Sequence, residues 1–294
     1  QEQTLRNDMR VHLIDGSGYV FRAFYALPPL ARSDGQAVNA LYGYCGMLGS
    51  LIRETCTHMA VVMDGGRSGR QDIDPAYKAN RPQRPPELSS QLALIQDATA
   101  AYGVASVKVP GIEADDVIAT YARQISEAGG ECVIYSMDKD LMQLLTLPGV
   151  SIYDPLKKQW VTDDVCFERI GVKPHQVIDY LSIVGDSADN IPGIPKVGKE
   201  TAKSLINAHG DLNNILRLAE CAPSLLACSK AFQTRVANGV ESALKSRDLV
   251  RLQHVDNLPP VEGLRFVGPD RETLRAYLNS MEFNLYAHEL DKAA

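Results

Sequence analysis

Residues 111–119 read GIEADDVIA and set Glu113, Asp115 and Asp116 within four positions. Carboxylates this close repel: two unit charges about 4 Å apart cost about 4 kcal/mol at an effective dielectric of ~20. A helix is expected to begin here, because Val117, Ile118, Tyr121, Ala122 and Ile125 follow at helical spacing. Acidic residues in a first helical turn face the positive end of the dipole, so capping alone could account for this cluster. Other carboxylates point to more than capping. Asp15 ends the apolar run MRVHLID, Asp64 ends MAVVMD, and Asp138 and Asp140 follow ECVIYSM. Asp186 and Asp189 stand three apart in GDSADNIPGIPKVG, a spacing at which both can face one way. No His or Cys belongs to this set of nine carboxylates. All-oxygen donors select hard cations, Mg²⁺ or Mn²⁺. One Mg²⁺ keeps several waters and does not take nine carboxylates. Two ions about 3.5–4 Å apart do, and that arrangement hydrolyses phosphodiesters.

Such a centre also calls for cations that are not metals. PAYKANRP, residues 75–82, supplies Tyr77, Lys78 and Arg81, the last two about one helical turn apart. Lys or Arg binds a phosphate, and a tyrosine stacks on an unpaired base. The flanking prolines and the absence of apolar periodicity fit a mobile connection between core elements; an exposed basic loop without function would look the same. IPGIPKVGKETAKSLI has the form of a helix-hairpin-helix. Its Pro/Gly turn from Gly193 to Gly198 leads into a helix N-terminus, where backbone N–H groups can hold a phosphate, and Lys196, Lys199 and Lys203 add charge. Pro/Gly-rich connections between helices also arise for geometry alone.

The elements must bring these residues together. The apolar runs before Asp15, Asp64 and Asp138 read as buried strands, with 105–111 as a further short strand. Residues 39–55, 87–102 and 114–128 read as helices between them. This alternation predicts an α/β fold, a mainly parallel sheet with helices on both faces. Parallel strands end on one side of the sheet, and ligands bind at that carboxyl edge. After Pro155 the pattern changes. QWVTD is one more short strand, and 162–170, 174–184, 199–208, 211–219, 229–250 and 270–281 read as helices. A boundary near residue 172 gives an α/β core over 1–172 and a helical domain over 173–294.

A chain of 294 residues favours two domains over one core. Apolar residues are 45% and charged residues 22%, ordinary for a soluble globular protein. No apolar run approaches the roughly 18 residues of a membrane span. The polar start QEQTLRNDMR is not a signal peptide. Six scattered cysteines without a CxxC pair fit reduced thiols in the cytoplasm. The net charge of −6 argues against a nucleic-acid partner as a sum, but not as a distribution. Residues 67–87 hold five basic and three acidic side chains, and 228–251 hold five and two.

Five stretches in order, LIDGSGYVFRAFYALPPL, DGGRSGRQDIDPAYKANRP, GIEADDVIA, SMDKDLMQLL and GDSADNIPGIPKVG, resemble the 5′-nuclease domain of bacterial DNA polymerase I, in the flap-endonuclease superfamily. The resemblance runs from about residue 10 to about residue 285. It implies a PIN-like α/β core, a helical arch over about 66–90 and a helix-hairpin-helix domain. It implies two-metal cleavage at 5′ flaps, nicks and 5′ ends of duplex DNA, in replication and repair, and a potassium ion at the hairpin. The nine carboxylates match the family's metal positions; Tyr77, Lys78 and Arg81 match its arch motif, and Arg70 the basic residue before it. A polymerase domain is the implied neighbour, and a monomer the implied state. Three positions depart from the pattern: Gly69 where an aromatic is common, Glu200 where a lysine is common, and Lys196 where a hairpin glycine is common. A PIN-type ribonuclease would share the carboxylates without needing the hairpin or YKANR. A DNA clamp without catalysis would show missing carboxylates, and none is missing. A haloacid-dehalogenase phosphatase needs Asp-x-Asp after the first strand, which LIDGSG lacks.

Overall fold

The computed structural model describes residues 9–292. Most of the polar N-terminal stretch therefore lies outside the described residues. The chain forms two compact units, each discontinuous in sequence. One comprises the chain up to Gly66, Gln83–Met137 and the chain from His254; the other comprises Arg67–Pro82 and Asp138–Gln253.

The first unit contains four parallel strands, β1 (Arg10–Asp15), β2 (His58–Met63), β3 (Ala105–Lys108) and β4 (Glu131–Tyr135), in the order β3-β2-β1-β4. Leu13 of β1 lies opposite Ala60 of β2 and Ile134 of β4. Val11 to Asp15 are buried one after another without alternation, so both faces of β1 are covered. The crossovers carry the helices Asn39–Leu51, Leu92–Ala101 and Ala114–Glu127. The last of these buries nine residues, among them the five apolar positions read at helical spacing, and the unbroken run from Asp116 to Ala122 is covered all round. Helices Arg271–Ser280 and Asn284–Lys292 return to this unit. The Tyr277 hydroxyl donates to the Leu94 carbonyl (2.6 Å), and Tyr286 stacks on Tyr42 at 4.6 Å. This aromatic seam is why the C-terminal segment does not belong with the helical residues that precede it.

The second unit holds the antiparallel hairpin β5 (Val150–Asp154) and β6 (Gln159–Val161) and six helices of eight residues or more, from Asp163–Ile170 to Val240–Val250. Thr162 and Asp211 cap helices by accepting from Val165 and Asn214 N–H groups, as such residue types do. The helix expected over 229–250 is two, Lys230–Asn238 and Val240–Val250, broken at Gly239. A Cβ on Gly239 would lie 2.6 Å from Ile194 Cγ2, so close packing at the hairpin sets the break. All six cysteines are free thiols. Among the described residues no helix is long and apolar enough to cross a membrane.

Candidate metal centre and its basic partners

In the first unit the acidic residues are tied to one edge of the sheet. Asp15 ends β1 and caps the helix Gly16–Ala26, accepting the Gly18 N–H at 2.9 Å. Its second oxygen accepts the Ser136 hydroxyl, just past β4, at 2.9 Å. Side chains at 16 and 18 would break this turn. A Cβ on Gly18 would lie 2.6 Å from Asp15 Oδ2, and one on Gly16 would lie 2.5 Å from Met63 Sδ. Ser17 Oγ accepts the Asp64 N–H at 2.9 Å, just past β2. Asp64 Oδ1 accepts the Ala114 N–H at 2.9 Å, at the start of the helix Ala114–Glu127. Gly65 holds the same turn, its N–H donating to the Ile112 carbonyl at 2.8 Å. The links bring Asp15, Asp64, Glu113, Asp115 and Asp116 to the carboxyl edge. Asp15, Glu113 and Asp116 are buried there; Asp64 and Asp115 are half-buried. Helix dipole and N–H donors hold negative charge in place.

The second unit carries the other four carboxylates. Asp140 donates its N–H to Asp138 Oδ1 at 2.8 Å. Burial raises both carboxyls above the usual range, and in Asp140 the neighbouring Asp138 charge adds to the rise. Asp140 Oδ1 is buried and accepts no hydrogen bond; Lys139 Nζ is 3.7 Å away. Lys139 pairs with Asp186. Asp189 is engaged on both oxygens, by Arg81 on Oδ1 and by Lys78 Nζ at 3.7 Å from Oδ2.

Among the described residues no three His, Cys, Asp or Glu side chains converge as a ready-made cage. The carboxylates are held instead by local donors: Gly18 and Ser136 on Asp15, Ala114 on Asp64, Lys139 on Asp186, and Arg81 and Lys78 on Asp189. A divalent cation still fits the chemistry. The donors are all hard oxygens, and a buried carboxylate oxygen without a hydrogen bond is relieved by a cation.

The basic residues fall into two groups. Lys78 and Arg81 meet acidic partners, as described. Tyr77 is only 3% exposed, with Lys78 Nζ 4.9 Å from its ring centroid, so its face does not offer a stacking platform. Arg70, expected beside the chemistry, is buried. Its guanidinium donates to the carbonyls of Leu249 (2.7 Å) and Arg251 (3.0 Å), where the helix Val240–Val250 ends. Arg70 therefore finishes a helix, because carbonyls at a C-terminus lack intrahelical donors.

In the hairpin, Gly193 has φ +61° and donates to Ser246 Oγ at 2.9 Å. A Cβ there would lie 2.5 Å from Gly185 N, so glycine is required for close backbone approach. Lys196 also has positive φ, 62°, which is why a glycine is the easier residue at that position. Gly198 precedes the helix Lys199–His209 and leaves its first N–H groups without a side-chain cap. Lys199 is exposed beside it, and Lys203 pairs with Glu200 at 2.9 Å. Ser17, Ser136 and Lys139 position acidic residues yet were not singled out from the sequence. The only local signal was their place beside the aspartates.

Residues 10–171 match the family described as 5′-3′ exonuclease, N-terminal resolvase-like domain, and residues 172–272 match 5′-3′ exonuclease, C-terminal SAM fold. The chain is 40% identical over 292 residues to DNA polymerase I of Rhizobium leguminosarum, covering 96% of this chain and 28% of that protein. It is 36% identical over 286 residues to a 5′-3′ exonuclease of Aquifex aeolicus (strain VF5), covering 96% of this chain and 95% of that one. The fold is similar to that of T5 5′-exonuclease with bound zinc, at a TM-score of 0.66 and 23% identity, covering 83% of this chain and 89% of that one. It is also similar to the catalytic core of Rad2 in complex with DNA substrate, at a TM-score of 0.61 and 14% identity, covering 95% and 88%. The architecture is a PIN-like, resolvase-like α/β domain followed by a helical domain.

Proposed function

The chain belongs to the 5′-3′ exonuclease family, and from that premise we propose that it is a metal-dependent, structure-specific 5′ nuclease acting on 5′ flaps, nicks and 5′ ends of duplex DNA. The observation that carries the proposal is the stitched carboxyl edge, where Asp15 and Asp64 are held by N–H groups and Ser136 next to Glu113, Asp115 and Asp116. Relatives support it: one similar structure is described with zinc and another with DNA substrate.

Asp15, Asp64, Glu113, Asp115 and Asp116 would hold divalent cations, and Asp138, Asp140, Asp186 and Asp189 are the metal-binding carboxylates proposed for the second unit. When bound, Mg²⁺ or Mn²⁺, two ions in all, supplies a water that is nucleophilic at neutral pH and charge for the leaving oxygen. Ser136 and the Gly18 N–H orient the Asp15 carboxylate. Lys78 and Arg81 bind the scissile phosphate as charge develops on it. Lys196, Lys199, Lys203 and the N–H groups after Gly198 hold duplex phosphates, and a potassium ion is proposed for the hairpin carbonyls. Arg70 serves here by fixing the end of the helix Val240–Val250. A monomer working in the cytoplasm on replication and repair intermediates, with a polymerase domain as neighbour, completes the proposal.

Incubation of the chain with a labelled 5′-flap duplex and with single-stranded RNA, with and without Mg²⁺, tests it. Flap release that requires Mg²⁺ and far outpaces RNA cleavage is expected. Equal RNA cleavage would favour a ribonuclease, and tight flap binding without cleavage would favour a clamp.

A further inference from the structure

Lys78 and Arg81 are paired with Asp189, a carboxylate of the proposed metal set. More than one contact joins the two segments. The Lys78 N–H donates to the Asp189 carbonyl at 2.9 Å, Asn190 Nδ2 to the Ala76 carbonyl at 2.7 Å, and Asn80 Nδ2 to the Ser187 carbonyl at 2.8 Å. Lys245 holds Asp74 at 2.7 Å. Tyr77 is buried in the same place. Lys78 and Asn190, each a donor in one of these bonds, have φ of 55° and 57°. That left-handed conformation is easy for asparagine and strained for lysine.

From this geometry we propose that residues 74–82 form a latch closed on the Gly185–Asn190 loop, and that divalent cation binding at Asp189 opens it. Both oxygens of Asp189 face protein cations, so direct coordination of an ion requires Arg81 and Lys78 to withdraw. Withdrawal frees these two side chains for phosphate, and it lets Lys78 leave its strained backbone conformation. A phosphate-binding cation and a metal-binding carboxylate thus neutralise each other until metal arrives. The latch rests on the metal role of Asp189 proposed above. By reciprocity, if the ion weakens the latch, removing the latch cations tightens the ion by the same factor.

The test uses the whole chain prepared free of metal, with Mg²⁺ binding read by calorimetry and hydrogen exchange read over residues 74–82. In wild type the Lys78 amide is expected to exchange slowly without Mg²⁺ and about tenfold faster with it, as local opening becomes easier. Asp189→Asn is expected to exchange fast in both conditions. Arg81→Gln is expected to bind Mg²⁺ several-fold tighter. Mg²⁺ binding that leaves wild-type exchange unchanged overturns the latch alone, as does an Arg81→Gln chain that binds Mg²⁺ no tighter. Absence of any Mg²⁺ binding overturns the metal centre and the latch together. If Asp189→Asn does not fold, the wild-type and Arg81→Gln arms decide.

Discussion

Replacing Arg70 by glutamine separates a catalytic from a structural role for this residue. Resemblance places Arg70 beside the basic segment; the structure buries its guanidinium against the Leu249 and Arg251 carbonyls. A hydrogen bond from a charged donor contributes about 1.5–3 kcal/mol, so these two bonds by themselves carry about 3–6 kcal/mol. Desolvation of the buried guanidinium offsets part of that, which leaves about 3 kcal/mol as the expected loss. For a chain of this size that loss lowers the melting temperature by roughly 5 °C. The assay pairs scanning calorimetry with single-turnover cleavage of a 5′-flap duplex, run well below the lowered midpoint. Arg70→Gln is expected to melt earlier and to cleave within about twofold of wild type, as a side chain that finishes a helix would. An unchanged melting temperature with a rate loss of about a hundredfold or more would refute the structural role and return Arg70 to the chemistry.

His12 on β1 is buried and lowered to about 4, first by burial and then by the Arg10 charge. Its unfolded value is higher, so the unfolded chain takes the proton first and stability falls as pH drops from about 6.5 to about 4; between pH 7.5 and 5 the expected loss is about 2 kcal/mol. His12→Leu should remove that part of the pH slope in urea unfolding, and an unaltered slope would count against a neutral buried ring. Lys196→Gly relieves a left-handed lysine and is expected to stabilise by about 1 kcal/mol, read as a raised urea midpoint; a lowered midpoint would contradict the strain. Ser136→Ala removes the hydroxyl donor to Asp15 and should weaken Mg²⁺ binding by about tenfold or more, with Ser136→Thr restoring it; unchanged affinity would make Ser136 a bystander.

The aspartates at strand ends were legible because their pattern is local. An apolar run followed by Asp and Gly tells both where a strand stops and what stands at its edge, and Asp15 and Asp64 lie where that rule puts them. The helix Gly16–Ala26 was not legible, since its start overlaps the Asp-Gly-Ser-Gly turn and its residues are aromatic-rich. Two helices in place of one over 229–250 depend on Ile194, forty-five residues before Gly239, and no local window contains that contact. The same holds for Arg70, whose partners are 179 and 181 residues away. Residue type pointed to Tyr77 as a base-stacking ligand and resemblance placed Arg70 beside the chemistry, whereas burial decides what a side chain can reach. Lys78 and Arg81 were found by type and spacing, but their pairing with Asp189 is a long-range fact.

Asp115→Asn tests the proposed nuclease most directly, because it removes one negative charge at the helix start and little volume. Single-turnover cleavage of a saturating 5′-flap duplex would be followed across a Mg²⁺ titration, with duplex affinity measured in parallel. Wild type is expected to cleave only with Mg²⁺, and Asp115→Asn to lose at least about a hundredfold in rate, because the lost carboxylate removes several kcal/mol of metal-mediated charge stabilisation. Its affinity for the duplex is expected to stay within a few-fold of wild type. Wild-type cleavage that persists in chelator, or an Asp115→Asn chain that cleaves as fast as wild type, would contradict a carboxylate-held metal centre at this edge.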